Sequence, residues 1–416
     1  MFTFTKMEKI VGLLLIVILL LSVGIGFELS RLNPDSELAE ALPGHSAAPS
    51  PTPSAVQSAR PAPTLTPTPT PTPTPAPVVS QVTLAAIGDV LIHNSVYRDA
   101  MLPNGGGYDF TPMFSQVRDM LQRPDLLMAN SESIIGGSEL GLSSYPLFNS
   151  PHEVGDALKD SGVDLVTMAN NHAMDMREPG ILAAAAYWDR IGMPYTGAFV
   201  SQEDHDRIRL LVRNDISFAF LSYTYGTNGI PVPANKPYLV NRTQDAAMEN
   251  EIARAKQLAD VVVVAMHWGS EDQMATNANQ IELARRLSAW GADIVIGTHP
   301  HVLQPFEWVE REDGMRTLVM YSLGNFLSAQ DQPLELIGGI GQIEVVKTVK
   351  NGAATITLQN PAFTPTYNRY ENFRNYRIVP WLELSPGDYD KMNGLWLSVK
   401  ARMMEKMPEL RFFDAS

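Results

Sequence analysis

Gly297-Thr298-His299-Pro300-His301-Val302 follows Asp293-Ile294-Val295-Ile296, an apolar run that reads as a buried strand. Two histidines flanking a proline at the end of a strand make a short-spaced pair of nitrogen donors. Pro300 fixes its own φ and is expected to hold His299 extended, so the loop loses little entropy in closing on an ion. Imidazole suits zinc, iron, manganese and related ions. By itself the stretch fits a pair of surface-loop histidines as readily as a metal site. Its surroundings decide.

Outward from this stretch the same arrangement recurs: an apolar run, then a polar cluster. Asp260–Met266, the most β-branched run, ends in His267-Trp268-Gly269-Ser270-Glu271. Val163–Ala169 ends in Asn170-Asn171-His172-Ala173-Met174-Asp175, and Asp125–Asn130 in Asn130-Ser131-Glu132. The opening run Val82–Ile92 carries Gly88-Asp89-Val90, and Leu318–Tyr321 ends in Ser322-Leu323-Gly324-Asn325-Phe326. Helical patterns over His152–Ser161, Pro179–Ile191, Ala246–Leu258 and Asn279–Trp290 separate many of these strands. Two neighbouring strands, Arg207–Val212 and Ile216–Tyr225, interrupt the alternation. After His301 strand follows strand, over Gln304–Glu310, Arg316–Leu323, Gly341–Thr348 and Ala354–Asn360. A terminal helix is expected after Pro386-Gly387. The fold class is therefore layered α/β, with helices covering sheets in one domain over 81–416 that ends in a helical extension. In open α/β sheets ligands bind at the carboxyl ends of strands, which is where the polar clusters lie.

Each cluster has a bland explanation. Gly-Asp makes turns, Asn-Asn-His can cap a helix, His267 can be a packed core histidine, and Glu132 and Glu271 can be solvated loop charges. Those explanations leave unaccounted the concentration of four of the eight histidines just after three strands. Oxygen donors from Asp89, Glu132 and Asn171, with imidazoles from His267, His299 and His301, can hold two divalent ions of the manganese, iron or zinc type. Two ions about 3.5–4 Å apart can clamp a substrate oxyanion and acidify water. His172 points differently from its neighbour Asn171 and can donate a proton to a leaving group, with Asp175 orienting its ring. Asn130, Glu271 and Asn325 are candidates for substrate contact or for support behind the ligands.

The formal charge of −14 argues against nucleic-acid binding, because there is no basic field to release counterions. With no cysteine, disulfides and thiolate metal sites are excluded. Ile10–Phe27 is free of charge and just long enough to span a bilayer core that needs about 20 residues. Lys6 and Lys9 favour a cytoplasmic tail over 1–9. No small-x-small cleavage site follows Phe27, so the segment 10–27 is expected to stay as an anchor. Residues 28–80 are a Pro/Thr-rich linker that cannot bury a core, and Thr66–Pro77 favours polyproline II. At about 3.1 Å per residue it can reach roughly 100 Å from the membrane. The expected location is the cell membrane, single-pass, with the folded domain extracellular.

These residues resemble the CapA-type family, the poly-γ-glutamate capsule biosynthesis proteins, a branch of the calcineurin-like metallophosphoesterases. The family's Gly-Asp-Val matches Gly88–Val90, its Asn-x-Glu matches Asn130–Glu132, and its Ala-Asn-Asn-His-x-x-Asp matches Ala169–Asp175. His-Trp-Gly-x-Glu matches His267–Glu271, His-Pro-His-Val-x-Gln matches His299–Gln304, and Ser-Leu-Gly-Asn-Phe matches Ser322–Phe326. Ser131 departs from the apolar residue usual inside Asn-x-Glu, and after Asp175, where the family usually shows an aromatic and then glycine, Met176-Arg177-Glu178 intervenes before Gly180. The resemblance implies a four-layer αββα sandwich. It implies metal ligation by Asp89, Asn171, His267, His299 and His301, Glu132 in place of a bridging aspartate, and His172 as the transition-state histidine. It also implies a membrane anchor and a hydrolase-like role on an anionic envelope polymer such as poly-γ-glutamate, beside other capsule-synthesis membrane proteins. The competing role is a non-catalytic assembly or export component that grips the polyanion through bound metal.

Overall fold

The computed structural model describes residues 76–414. Along the first strand, β1 (Val78–Val90), side chains alternate between two cores: Val82, Leu84 and Ala86 face one, Ala85 and Ile87 the other. A strand apolar on both faces belongs inside a layered structure. Three parallel neighbours follow, β2 (Leu126–Ser131), β3 (Leu165–Thr167) and β4 (Tyr195–Thr196). The chain then builds a second sheet from β5 (Arg209–Arg213), β6 (Ile216–Thr224), β7 (Val261–His267), β8 (Ile294–Thr298), β9 (Phe306–Glu310) and β10 (Arg316–Met320). It returns to the first sheet with β11 (Asn325–Leu327), β12 (Ile337–Lys350), β13 (Ala353–Glu371), β14 (Arg374–Pro380) and β15 (Arg411–Phe412).

The first sheet runs β14-β13-β12-β1-β2-β3-β4, with β11 beside β1 and β15 beside β13; the second runs β5-β6-β7-β8-β10-β9. In the second sheet Val261, Val263 and Ala265 of β7 join Val82 and Leu84 in a shared core between the sheets. The alternate residues Val262, Val264 and Met266 pack outward on the helices Asp245–Leu258 and Ala278–Trp290. On the far side, Ala85 and Ile87 pack with the helices Glu153–Asp160 and Arg177–Ile191. The order of layers is helix, sheet, sheet, helix. The helix Pro386–Met403, begun by a Ser385 cap and Pro386, inserts Met392, Trp396, Val399 and Met403 into the inter-sheet core. The expected extension is thus a wall of the sandwich.

Three differences from the sequence reading stand out. β1 starts at Val78, so the domain takes three residues from the end of the expected 28–80 linker. β13 continues eleven residues past Asn360, to Glu371, and forms a hairpin with β14. His299 is not extended: its φ is +98°, and that of His301 is +60°. The tail 1–9, the anchor 10–27 and residues 28–75 of the linker lie outside the described residues. Among the described residues no helix is long and apolar enough to cross a membrane.

Two glycines set how closely the strand ends approach. A Cβ on Gly88 would lie 1.9 Å from the Gly324 carbonyl oxygen, and one on Gly297 would lie 1.9 Å from that of Tyr321. Neither obstacle is a flexible side-chain tip. Gly297→Ala is therefore expected to destabilise the protein by about 3 kcal/mol or more, at the upper end of overpacking. A shifted urea midpoint at unchanged slope checks this; a midpoint within error of wild type would show that β8 and β10 can spread freely.

Candidate metal centre

Strand ends from both sheets converge on one site. β1, β2 and β3 deliver Asp89, Glu132 and Asn171; β7 and β8 deliver His267, then His299 and His301. The oxygen donors come from one sheet and the nitrogens from the other. All six are buried. Three donor sets lie with their ligand atoms within 4.8 Å of one another: Glu132–His267–His299, Asp89–Glu132–His301, and Glu271–His299–His301. The first two share Glu132. Its Oε1 sits 3.6 Å from His267 Nε2 and 3.8 Å from His301 Nε2, and neither carboxylate oxygen has a hydrogen-bond partner. Leaving a fully buried carboxylate unpaired costs several kcal/mol. Shared, convergent and unsatisfied, Glu132 fits a metal ligand. His299 Nδ1 is likewise buried without a partner.

Around these atoms the protein fixes each donor. Asn130 Nδ2 donates to Asp89 Oδ1 at 2.8 Å, and Thr167 Oγ1 donates to Asn130 Oδ1 at 3.1 Å. The backbone N–H of His299 donates to Asp89 Oδ2 at 3.2 Å, a contact that accounts for its positive φ against the local preference before proline. His301 Nδ1 lies 3.1 Å from Asn325 Oδ1 and 3.3 Å from Asp89 Oδ2. Asn325 is buried and held in turn by Gln330 Oε1 and the Glu335 carbonyl, so it supports His301. His267 Nδ1 lies 3.0 Å from Thr298 Oγ1, and its Nε2 faces Asn171 Oδ1 at 2.8 Å. Such outer partners orient ligating imidazoles in metal sites.

The electrostatics follow from burial and from these neighbours. Burial first, then the charges of His299 and His301, pull His267 well below the ordinary histidine range. Burial and His301 bring His299 down to about 3. Both are therefore neutral imidazoles, the form that ligates metal, and the 3.6 Å approach of His267 to Glu132 is not an ion pair. Burial also opposes charge on His301, but Glu132 and Asp89 outweigh it and raise that group to about 10. Glu132 is pushed well above the carboxylate range by burial and then by Asp89.

His172 is separate from the donor sets. Its Nδ1 pairs with Asp175 Oδ2 at 2.7 Å, and that same oxygen accepts the Phe148 N–H at 2.6 Å. The Phe148 ring packs edge-on to His172 at 4.7 Å. Of the sequence-predicted residues, Glu271 alone is exposed, at the rim beside His299 and His301. The sequence reading missed Thr298, Phe148, Tyr225 and Asn228. Thr298 lies inside the Gly-Thr-His-Pro-His stretch, where a hydroxyl next to a ligand was a readable signal; Tyr225 ends the expected strand Ile216–Tyr225, a strand end like the others; Phe148 and Asn228 sit in loops with no periodic pattern.

The family model of the bacterial capsule synthesis protein PGA_cap matches residues 83–330. The PGA biosynthesis protein CapA of Bacillus subtilis (strain 168) is 35% identical over 175 residues, covering 42% of this chain and 44% of that protein. The capsule biosynthesis protein CapA of Bacillus anthracis is 27% identical over 265 residues, 60% of each chain. The chain thus spans less than two thirds of either relative. The crystal structure of the calcineurin-like phosphoesterase YfkN from Bacillus subtilis aligns over 68% of this chain and 91% of that one, at 14% identity and a TM-score of 0.37. Every donor described above, with His172, Asp175 and Asn325, falls within the matched 83–330, and the chain belongs to the bacterial capsule synthesis protein family PGA_cap.

Proposed function

We propose that the protein is a membrane-anchored, extracytoplasmic hydrolase of capsule or envelope polymer metabolism that works with two divalent ions. The observation that carries this reading is Glu132: fully buried, unpaired at both oxygens, and common to two donor sets. Asp89 and His301 would complete one ion's shell, and His267 and His299 the other's, with Asn171 placed by its contact with His267. Manganese, iron or zinc suits this mixture of oxygen and imidazole donors. Ions held there would supply electrophilic stabilisation of an oxyanion and acidify water.

The chain's own residues do the rest. With Nδ1–H donated to Asp175, His172 keeps Nε2 for exchanging a proton with the leaving group, and Asp175 fixes the tautomer and ring direction. Asn130, Thr298 and Asn325 hold the ligands in register. The bond cleaved is a phosphoester, or an amide in a polymer such as poly-γ-glutamate, and the protein works beside membrane proteins of capsule synthesis. The uncharged segment 10–27 and the proline-rich linker support placing the domain outside the membrane.

Elemental analysis of the purified full chain tests the reading, together with turnover of phosphoester and γ-glutamyl amide substrates. Close to two equivalents of a transition metal is the expected result. Absence of metal after incubation with manganese, zinc and iron sinks it. Metal without turnover of either substrate class would instead make the protein an assembly or export component that binds its polymer.

A further inference from the structure

Outside the donor sets, the hairpin that joins β13 to β14 packs against the short helix Asn94–Asp99. Polar contacts lock the two together. Asp99 Oδ1 and Oδ2 accept the N–H groups of Asn375 and Tyr376, each at 2.9 Å, and Ser95 Oγ shares a hydrogen bond of 2.8 Å with Tyr376 Oη. Hairpin and helix border a cavity of about 520 Å³, the size of a small-ligand pocket. None of the residues lining it belongs to a donor set.

The tip of the hairpin is strained. Glu371 pairs with Arg374 across a two-residue loop, Asn372-Phe373, whose φ values are +50° and +57°. A loop with both φ positive favours Asn-Gly, and a bulky side chain in the second place is an outlier. Phe373 holds that place 48% exposed, its ring stacked on Tyr370 at 5.4 Å, with Tyr370 in turn 4.8 Å from the buried ring of Tyr376. The stack fixes an aromatic platform on the cavity wall, and exposed Met101 adds a second apolar surface. Arg98 and Arg374, both exposed, line the same cavity. The acids beside them are engaged, Asp99 by the two N–H groups and Glu371 by Arg369 at 2.8 Å. Among the described residues neither Arg98 nor Arg374 has an ion-pair partner. In a chain of formal charge −14, one cavity thus gathers two unpaired guanidiniums.

We infer that this cavity is a second binding site, for an acidic saccharide: a sugar ring that carries a carboxylate or a phosphate. Guanidiniums grip either anion with paired hydrogen bonds. Phe373 and Met101 offer apolar surface to the C–H face of a ring, and Ser95 and Asn372 supply neutral groups that donate to and accept from hydroxyls. Simpler ligands use only part of this set. An inorganic anion or a bare polycarboxylate leaves the aromatic platform idle, and a fatty acid leaves Ser95 and Asn372 idle. The site stands apart from any reaction at the metal donors and would hold the domain to an anionic glycan.

Calorimetric titration of the full chain tests this with a glucuronate-bearing disaccharide and a phosphonate analogue of glucose 1-phosphate, beside glucose, orthophosphate and a γ-linked glutamate trimer. At least one acidic sugar is expected to bind saturably, the tighter of the two naming the anion, and glucose at least tenfold more weakly. Arg98→Gln and Arg374→Gln are each expected to weaken the acidic sugar about tenfold, the scale of one charged hydrogen bond. Metal content, and whatever affinity orthophosphate and the trimer show, should stay unchanged in both. Phe373→Gly suits the φ at its position, so it is expected to melt no lower than wild type while weakening the acidic sugar about tenfold. No acidic-sugar binding by wild type, equal binding of glucose, or an affinity unmoved in all three variants overturns the assignment. So does a parallel loss for orthophosphate or the trimer in the arginine variants, which would make the cavity a general anion patch.

Discussion

Glu132→Gln is expected to strip the protein of stoichiometric metal. The side chain belongs to two of the three donor sets, the two that draw on both sheets. An amide of the same shape keeps the packing but removes the charge that would offset two cations. The expected content is below one equivalent, by elemental analysis, in a protein that is folded. Stability separates this from simple damage. Neither oxygen of the wild-type carboxyl has a hydrogen-bond partner, so in metal-free protein the change exchanges one unpartnered buried polar group for another and is expected to leave stability within about 1 kcal/mol of wild type. A variant that unfolds more easily when metal-free, or one that keeps two equivalents, would show that Glu132 is not the shared ligand.

His172→Ala is expected to do the opposite: metal content stays, and turnover falls by about 10²–10⁴-fold, the span of general acid–base catalysis. The ring lies outside every donor set, and its contacts are with Asp175, Phe148 and Asn228. Asp175→Asn should lose part of the same factor, because the amide still meets the ring but no longer stabilises its protonated form. Cleavage of a substrate with an activated leaving group, such as a nitrophenyl ester, should suffer least, since that group departs without a proton. If His172→Ala loses metal, the residue is a ligand and the division of labour proposed for Asn171 and His172 fails.

The ends of strands were the readable part of this chain. Alternating apolar runs such as Val261–Met266 locate strands, and polar residues directly after them locate the site, because the carboxyl ends of parallel strands share one rim. Asp89, Glu132, Asn171, His267, His299 and His301 were nameable on that ground. The conformation of His299 was not. The rule for a residue before proline is local, and the tertiary contact of its N–H with Asp89, 210 residues away, overrides it. The end of β13 was missed for a related reason. Pro361 and Pro365 cannot donate to a ladder, but Asn360 takes a φ of +56° at a register shift, and pairing with β12 resumes beyond it. Asn228 and Phe148 reach His172 from loops whose positions only the assembled strands determine.

Because one sheet contributes oxygens and the other nitrogens, ion occupancy and the cohesion of the sandwich form a single equilibrium. A cation held by either donor set that contains Glu132 would join the two sheets, which could not part without releasing it. A ligand present at 100 times its dissociation constant adds about 2.7 kcal/mol to the folded state. The melting temperature of this protein should then climb with free divalent concentration, so that its durability is set in part by the metal supply around it.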